Sequence, residues 1–440
     1  MNDPGRTPCV RIGGGASRRS TEARPIRVGI VGGGFGGLYA AMYLEAHLRE
    51  RRDVEIVLIS RDNFFLFSPM LHEVATGAVE AKSLAEPIRA LLQDKRVRFI
   101  RAEVTSIDLE RRIIMADGQE EEEFTYLVIA LGSVPDFGGV PGAAEHALPL
   151  KNLANGIRIR NQLIARLEQA ERETDPVRRR QLLTFVVVGA SSTGVEVAPE
   201  IQDLAESMAG QHGGTLDPGE VRTILVASRE RVLPELDEPL AAQAMEHLMA
   251  KGIEIRFRTR VARVGPGAVH LDTGDVIAAA TVIWAGGVRA HPLTETLPVP
   301  RDPSGRIIVN DLLEVPEFPG IYAVGDCAHF YHRRTGRPLS ALAQVAMRQG
   351  VRAAANIASA IAGRPGEAFD FSSLGKRVSL GRRAALVDIL GWRVHGLPAW
   401  LLWKLIFLSK LIGIRPKLRV GLDWLLTACC PRDTSLIPVE

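Results

Sequence analysis

Along this chain, short and largely apolar runs alternate with longer stretches in which apolar positions recur every three or four residues. Residues 28–31, 54–59, 124–130, 183–188, 221–226 and 282–284 are of the first kind. Runs of that length and character predict parallel strands covered on both faces. The second kind predicts helices at 38–44, 83–92, 153–173 and 238–251. In 153–173, Leu163, Ile164, Leu167 and Ala170 fall on one face. Further strands are predicted at 97–107, 112–115, 253–256, 307–309 and 321–323, with a turn at Asp117-Gly118. Strand and helix alternate, so the class is α/β.

Two strand-to-helix junctions share one pattern. In RVGIVGGGFGG, residues 27–37, Gly32, Gly34 and Gly37 keep the G-x-G-x-x-G spacing directly after a strand. The first glycine permits the tight turn, the second lets a pyrophosphate approach the backbone, and the third lets the helix pack close. The free N–H groups of the helix then face the phosphates. The pattern returns in LTFVVVGASSTG, residues 183–194, where Gly189 and Gly194 hold the outer positions and Ser191 the middle one. Two such loops predict two nucleotide-binding domains in one chain. The strand after each loop usually ends in a carboxylate for the ribose. Here one ends in Ser60 and Arg61, the other in Ala227, Ser228 and Arg229. An arginine there can accommodate a 2′-phosphate, or be a surface residue. Gly132 and Gly286 close two later strands where backbone can meet a cofactor again.

At 440 residues, two or three domains are expected. Lys and Arg number 54 and Asp and Glu 51, so the net charge of +3 gives no footprint for nucleic acid. The four cysteines (Cys9, Cys327, Cys429 and Cys430) include no C-x-x-C or C-x4-C pair, which argues against a disulfide framework, a zinc site and a redox dithiol. His329 and His332 lack a third ligand and read as loop residues, so no metal is expected. Residues 1–26, rich in Gly, Arg, Pro and Ser, read as a disordered lead-in without a signal-peptide core. NFFLFSPMLHEVATG, residues 63–77, is either the cover of a flat cofactor or ordinary core.

The C-terminal part changes character. Residues 397–412 are strongly apolar but carry Lys404 and Lys410, too short and too charged for a bilayer span. In 417–430, Arg419, Asp423 and Thr427 form one stripe, with Leu418, Leu422, Trp424, Leu425 and Leu426 over the rest. Tryptophans and basic residues suit an in-plane anchor on a lipid surface. A homodimer interface or a core helix pair is the other reading.

Four segments together resemble the type II NADH:quinone dehydrogenases among the flavoproteins with two dinucleotide-binding domains. They are GGGFGG at 32–37, NFFLFSPMLHEVATG at 63–77, IYAVGDCA at 321–328 and ALAQVAMRQG at 341–350. The resemblance runs from about residue 28 to 431. It implies an α/β fold of two Rossmann-like domains, an FAD domain with an inserted NAD(P)H domain, plus a C-terminal amphipathic helical membrane-anchor region. The implied boundaries are 27–150 and 301–365 for FAD, 151–300 for NAD(P)H and 366–440 for membrane association. FAD would lie on Gly32, Gly34, Phe35, Gly36, Gly37, Ser60, Arg61, Val104, Gly132, Asp326, Ala343 and Gln344, with Asp326 on the ribityl chain and the start of the Ala343-Gln344 helix under the isoalloxazine. NADH or NADPH would lie on Gly189, Ser191, Ser192, Thr193, Gly194, Glu196, Ser228, Arg229 and Gly286. Glu196 would sit near the nicotinamide and relay a proton, or be a first-turn acid favoured by the helix dipole. Gln344 would hydrogen-bond a quinone carbonyl, or cap its helix. The chain departs from the family at Ser60, Ser191, Ala227, Pro199 and Ser340-Ala341-Leu342.

The expected activity is hydride transfer from NAD(P)H to FAD, then two electrons to a quinone. It would run on the cytoplasmic face of the cell membrane as a peripheral, non-pumping step of a respiratory chain. A flavoenzyme using another donor or acceptor, such as sulfide or a small carrier protein, is an alternative. So is an NADH-binding flavoprotein sensor.

Overall fold

The computed structural model describes residues 25–438 apart from 119, 211–215, 374 and 390. The lead-in expected over 1–26 therefore lies outside the described residues except for Pro25 and Ile26, and Ile26 already belongs to the first strand.

In chain order the first elements are β1 (Ile26–Val31), α1 (Phe35–Leu48), β2 (Val54–Ser60), α2 (Leu71–Ala75), β3 (Val97–Arg101) and β4 (Tyr126–Ile129). Next come β5 (Leu148–Pro149), α3 (Leu153–Arg172), β6 (Thr184–Val188), α4 (Ser192–Ala209), β7 (Arg222–Val226), α5 (Glu238–Ala250), β8 (Glu254–Arg256) and β9 (Thr281–Trp284). The chain then returns with β10 (Ile321–Ala323) and α6 (Ala343–Ile361). It ends in β11 (Lys376–Ser379), β12 (Ala385–Ile389), β13 (Trp392–His395), α7 (Gly396–Lys410) and α8 (Ile414–Cys429).

Two parallel sheets organise these elements. The first has the order β10-β4-β1-β2-β3, the second β5-β9-β6-β7-β8. The whole second sheet lies in sequence between β4 and β10, neighbours in the first. One Rossmann-like domain is thus inserted in another. Val28, Ile30 and Val31 of β1 and Phe185, Val186 and Val187 of β6 are buried. Continuous apolar strands match a sheet covered on both faces. Behind the first loop α6 crosses α1 so closely that a Cβ on Gly350 would lie 2.2 Å from the Gly36 carbonyl oxygen. Gly350 is thus a packing residue. The crossing fixes where Ala343 and Gln344, at the start of α6, emerge.

Several local expectations give way to other structure. The helix expected at 83–92 is a strand at Ala85–Pro87, paired with Phe64–Leu66, and one helical turn at Ile88–Leu91. Pro87 explains the break: it has no N–H to donate and pushes Glu86 out of the helical region. The strand expected at 97–107 divides at Ala102, whose N–H bonds to the Ser60 carbonyl (3.1 Å). Val104–Asp108 then joins an antiparallel sheet with Ile113–Ala116 and Glu120–Glu123. His329 and His332, read as loop residues, lie buried in two-residue strands.

The 366–440 stretch, read as membrane-associating throughout, opens with the β11–β13 meander. Its Val378, Leu380 and Leu386 pack into the core under the second sheet. The helices begin only at Gly396. In α8, Asp423 and Thr427 of the polar stripe make contacts within the protein, as does Trp424, while Arg419 stays exposed. Asp423 accepts a bond from the Glu80 N–H (3.1 Å), Trp424 donates to Glu73 Oε2 (2.8 Å), and Thr427 bonds back to the Asp423 carbonyl (2.9 Å). Leu418, Leu422, Leu425 and Leu426 face outward, alongside Leu397, Leu401 and Leu405 of α7. The buried Glu73 carboxyl gives the Trp424 N–H a partner on the inner side of the helix. Among the described residues no helix is long and apolar enough to cross a membrane.

Candidate functional site

A single cavity of about 1670 Å³ touches both glycine loops and ends against α7. At the first loop, steric facts assign each glycine a task. Gly32 has φ +104°, and a Cβ there would lie 2.2 Å from the Ala130 carbonyl oxygen. A Cβ on Gly37 would lie 1.8 Å from the Gly32 carbonyl oxygen, but one on Gly34 would meet nothing within 4 Å. The turn and the helix packing are closed, while the middle position faces open space. That is the cradle a pyrophosphate needs. Phe35, Gly36, Ser60, Arg61, Val104 and Gly132 also line the cavity. Arg61 pairs with Asp62 (3.6 Å).

The 63–77 segment both packs into the core and lines the cavity. Phe65 is buried edge-on against Phe35, ring centres 4.9 Å apart. Phe64, Phe67 and Pro69 line the cavity.

Farther along, Asp326 Oδ2 accepts from Ser133 Oγ (2.6 Å) and Lys151 Nζ (3.0 Å). Both bonds go to one oxygen, which leaves Oδ1 open for a ligand hydroxyl. Lys151 carried no sequence signal; it reaches Asp326 from just before α3. Gln344 lines the cavity, and its amide has no hydrogen-bond partner among the described residues. It is not a cap: position Leu342 precedes α6 without a side-chain cap.

The second loop repeats the first with one change. A Cβ on Gly194 would lie 1.8 Å from the Gly189 carbonyl oxygen, as at Gly37. Ser191, Ser192 and Thr193 line the cavity. The helix N-terminus, however, already holds an anion. Glu235 Oε1 accepts from the Ser192 N–H (3.2 Å) and from Ser192 Oγ (2.8 Å). Glu235 was invisible in the loop pattern because it lies beyond β7. Ser228, Arg229 and Gly286 stand outside the cavity lining. Gly286 packs against the Trp284 ring, and Ser228 and Arg229 are exposed just past β7.

Glu196 sits in the second turn of α4, past the reach of the helix dipole. It is buried beside the cavity. Its Oε1 accepts from the Ser379 N–H (3.2 Å), and its Oε2 is 3.6 Å from His72 Nδ1. Burial pushes the Glu196 carboxyl well above the usual carboxylate range. Burial, and then the nearby Arg432, pulls the His72 imidazole down to about 3. At neutral pH the His72 side of the contact is therefore a neutral ring, so the contact is not an ion pair. His72 Nε2 is buried without a hydrogen-bond partner, a cost of about 1–3 kcal/mol. Functional sites keep such groups more often than structural ones do.

Cys327 is buried, and burial raises its thiol to about 11. Among the described residues no group of three or more His, Cys, Asp or Glu is placed to hold a metal ion. His329 instead bonds Asp302 (2.8 Å).

Comparison with known proteins follows the same lines. The pyridine nucleotide-disulphide oxidoreductase family matches residues 26–350. The type II NADH:quinone oxidoreductase Ndh of Mycobacterium tuberculosis is 33% identical over 425 residues, covering 93% of this chain and 89% of that protein. The demethylphylloquinone reductase NdbB of a Synechocystis strain is 32% identical over 413 residues, covering 92% and 96%. The fold of NDH2 from Plasmodium falciparum, solved with NADH, superposes with a TM-score of 0.85. It does so at 16% identity and covers 94% of this chain and all of that one.

Proposed function

Because this chain belongs to the pyridine nucleotide-disulphide oxidoreductases, and within them to the type II NADH:quinone oxidoreductases, we propose a division of labour along its cavity. The protein is an FAD-dependent enzyme that takes electrons from NAD(P)H and passes them to a quinone. FAD, when bound, accepts the hydride of the nicotinamide and returns two electrons to the acceptor. The observation that carries the reading is the continuity of one cavity from both glycine loops to Gln344 and α7.

In this reading the first loop and the open Oδ1 of Asp326 hold FAD, with the Gly34 backbone nearest the pyrophosphate. The second loop receives NAD(P)H through the N–H groups of Ser191 to Thr193. Gln344 donates its amide N–H to a quinone carbonyl, and the apolar wall of Phe67, Ile406 and Phe407 keeps water from that end. Glu196, its carboxyl held well above the usual carboxylate range by burial, stands between the nucleotide and acceptor ends as a proton donor.

Membrane association on the cytoplasmic side completes the reading. Leu405 and Leu418 are 65% and 66% exposed and lie in an outward apolar face shared by α7 and α8. Lys410, Arg415 and Arg419 flank it with positive charge. Such a face suits anionic headgroups and an apolar boundary. Lys410 and Phe407 of α7 also line the cavity, so a lipid-soluble quinone would enter where the helix meets the bilayer. A homodimer across these leucines is the competing occupant.

The test is anaerobic titration of purified protein with NADH and with NADPH, followed by a soluble quinone. Bleaching of the flavin absorbance by nucleotide and its return with quinone support the reading. A flavin that neither nucleotide bleaches overturns it.

A further inference from the structure

The second loop shares its cavity with the start of β11, a strand that belongs to neither nucleotide sheet. Ser191, Ser192, Thr193 and Glu235 line that cavity, and so do Lys376 and Arg377. Lys376 Nζ donates to the Glu235 carbonyl. The carboxylate of the same Glu235 accepts from the Ser192 N–H and hydroxyl. The Lys376 ammonium is thus tied to the residue that covers the first N–H of α4. An ammonium has three donors, and this contact uses one. Arg377 follows on the strand. Its guanidinium is half-buried and has no hydrogen-bond or ion-pair partner among the described residues. Burial draws it below its ordinary range, with no carboxylate to offset the loss. Three other cations on the cavity wall are engaged: Arg61 with Asp62 (3.6 Å), Lys151 with Asp326 (3.0 Å) and Arg348 with the Ser372 carbonyl (2.6 Å). The strand that carries Lys376 and Arg377 is held in place. Gly375 has φ +130°, and a Cβ there would lie 1.9 Å from the Asp388 carbonyl oxygen. Lys376 and Arg377 stand opposite Asp388 and Val387 of β12, and Val378 packs into the core under the second sheet. A cation half-desolvated on a fixed strand, facing no anion, is costly to keep unless a ligand supplies one.

We propose that Lys376 and Arg377 form a cationic clamp that the C-terminal β11–β12 hairpin adds to the second loop, and that its ligand is the pyrophosphate of NAD(P)H. The inference rests on the reading above that the second loop receives NAD(P)H. A quinone is neutral and gives these cations no counter-charge. A pyrophosphate does, and the N–H groups that suit it lie beside Lys376. A phosphate approaching Ser192 meets one carboxylate, that of Glu235. Two positive charges on the neighbouring strand outweigh it. On arrival the phosphate takes the Ser192 N–H from Glu235, and Lys376 offers its two unused donors. The Arg377 fork, with all five donors unused, takes the second phosphate. The clamp explains how a loop that holds a serine in its middle position and a carboxylate on its helix still attracts an anion.

The test uses ADP-ribose, which carries the pyrophosphate but no nicotinamide, so binding is read without turnover. Calorimetry on the oxidised, FAD-loaded full chain compares ADP-ribose and NAD⁺. Arg377→Gln should raise both dissociation constants at least tenfold. Lys376→Gln, at a more exposed position, should raise them about two- to fivefold. Arg377→Lys keeps the charge without the fork and should recover part of the loss. Raising salt from about 0.05 to 0.5 M should weaken ADP-ribose binding more in the wild-type chain than in Arg377→Gln. In steady state the KM for NAD(P)H should rise while the quinone KM stays within about twofold. Unchanged ADP-ribose affinity in Arg377→Gln overturns the clamp. A raised quinone KM with nucleotide affinity intact overturns it too, and assigns the cations to the acceptor end. Loss of flavin from both Arg377→Gln and Arg377→Lys marks a structural role and also overturns it. If the wild-type chain binds neither ADP-ribose nor NAD⁺, the reading of the second loop fails; if it binds both and the variants match it, the clamp alone fails.

Discussion

The two nucleotide loops share one steric plan and differ in what stands at the helix N-terminus. At the first, a Cβ on Gly34 would meet nothing, and α1 begins without a side-chain cap. Behind it α6 is locked against α1, and Asp326 with Lys151 waits farther along. At the second, Ser191 takes the middle position and the Glu235 carboxylate occupies Ser192. A phosphate arriving there must displace a like charge, whereas one arriving at the first loop displaces none. On the proposed reading, the same βαβ device serves once for a resident ligand and once for an exchanging one. An enzyme that keeps its FAD and releases NAD(P)⁺ at each turnover needs that difference.

The largest effect should come from filling the third glycine of each loop. Gly37→Ala and Gly194→Ala both drive a methyl to within 1.8 Å of a backbone oxygen, which costs on the order of 1–3 kcal/mol in overpacking, or more. Gly37→Ala should lose FAD, read as flavin absorbance per chain. Gly194→Ala should retain FAD and raise the KM for NAD(P)H at least tenfold. If Gly194→Ala sheds the flavin while Gly37→Ala keeps it, the two loops have been assigned the wrong way round.

Next in size is the choice between nucleotides. Ala227 leaves the end of β7 without a ribose acid, and the Arg229 guanidinium is free among the described residues. A charge-assisted bond is worth about 1.5–3 kcal/mol. Arg229→Ala should therefore lower kcat/KM for NADPH about tenfold and leave that for NADH within twofold. Equal loss for both would mean that Arg229 is only a surface residue.

At the acceptor end, Gln344→Leu removes a neutral hydrogen bond of about 0.5–1.5 kcal/mol. Quinone KM should rise roughly 2- to 12-fold, while the rate of flavin reduction by NADH in stopped flow stays put. A slowed reduction would place Gln344 on the nucleotide side. The smallest effect is the most particular to the second loop. Glu235→Gln removes the competing charge at α4, an interaction of about 0.3–1 kcal/mol. The KM for NAD(P)H should then fall roughly two- to fivefold. A higher KM would show that Glu235 orders the loop rather than competing for it.

Much of this was legible in the chain because glycine geometry is local. The spacing at 32–37 and 189–194 dictates the turn, the approach and the packing within a few residues, and the apolar runs dictate parallel strands. What escaped reading depends on partners far away in sequence. Glu235 reaches Ser192 across the loop after β7, and Lys151 reaches Asp326 from the other domain segment. The inward contacts of α8 escaped reading for the same reason. Asp423 looks like a solvent residue until Glu80 offers it an N–H, and Trp424 looks lipid-facing until Glu73 accepts its bond. The helix predicted at 83–92 failed more locally: its apolar spacing was helical, but Pro87 decided the backbone.

The central claim, one loop that keeps its ligand and one that exchanges it, is tested most directly by dialysis. The FAD-loaded protein is equilibrated with NADH under anaerobic, acceptor-free conditions, dialysed against nucleotide-free buffer, and assayed for both ligands. The account predicts about one FAD per chain and no retained nicotinamide nucleotide. Retained nicotinamide with lost FAD, or equal retention of both, would contradict it.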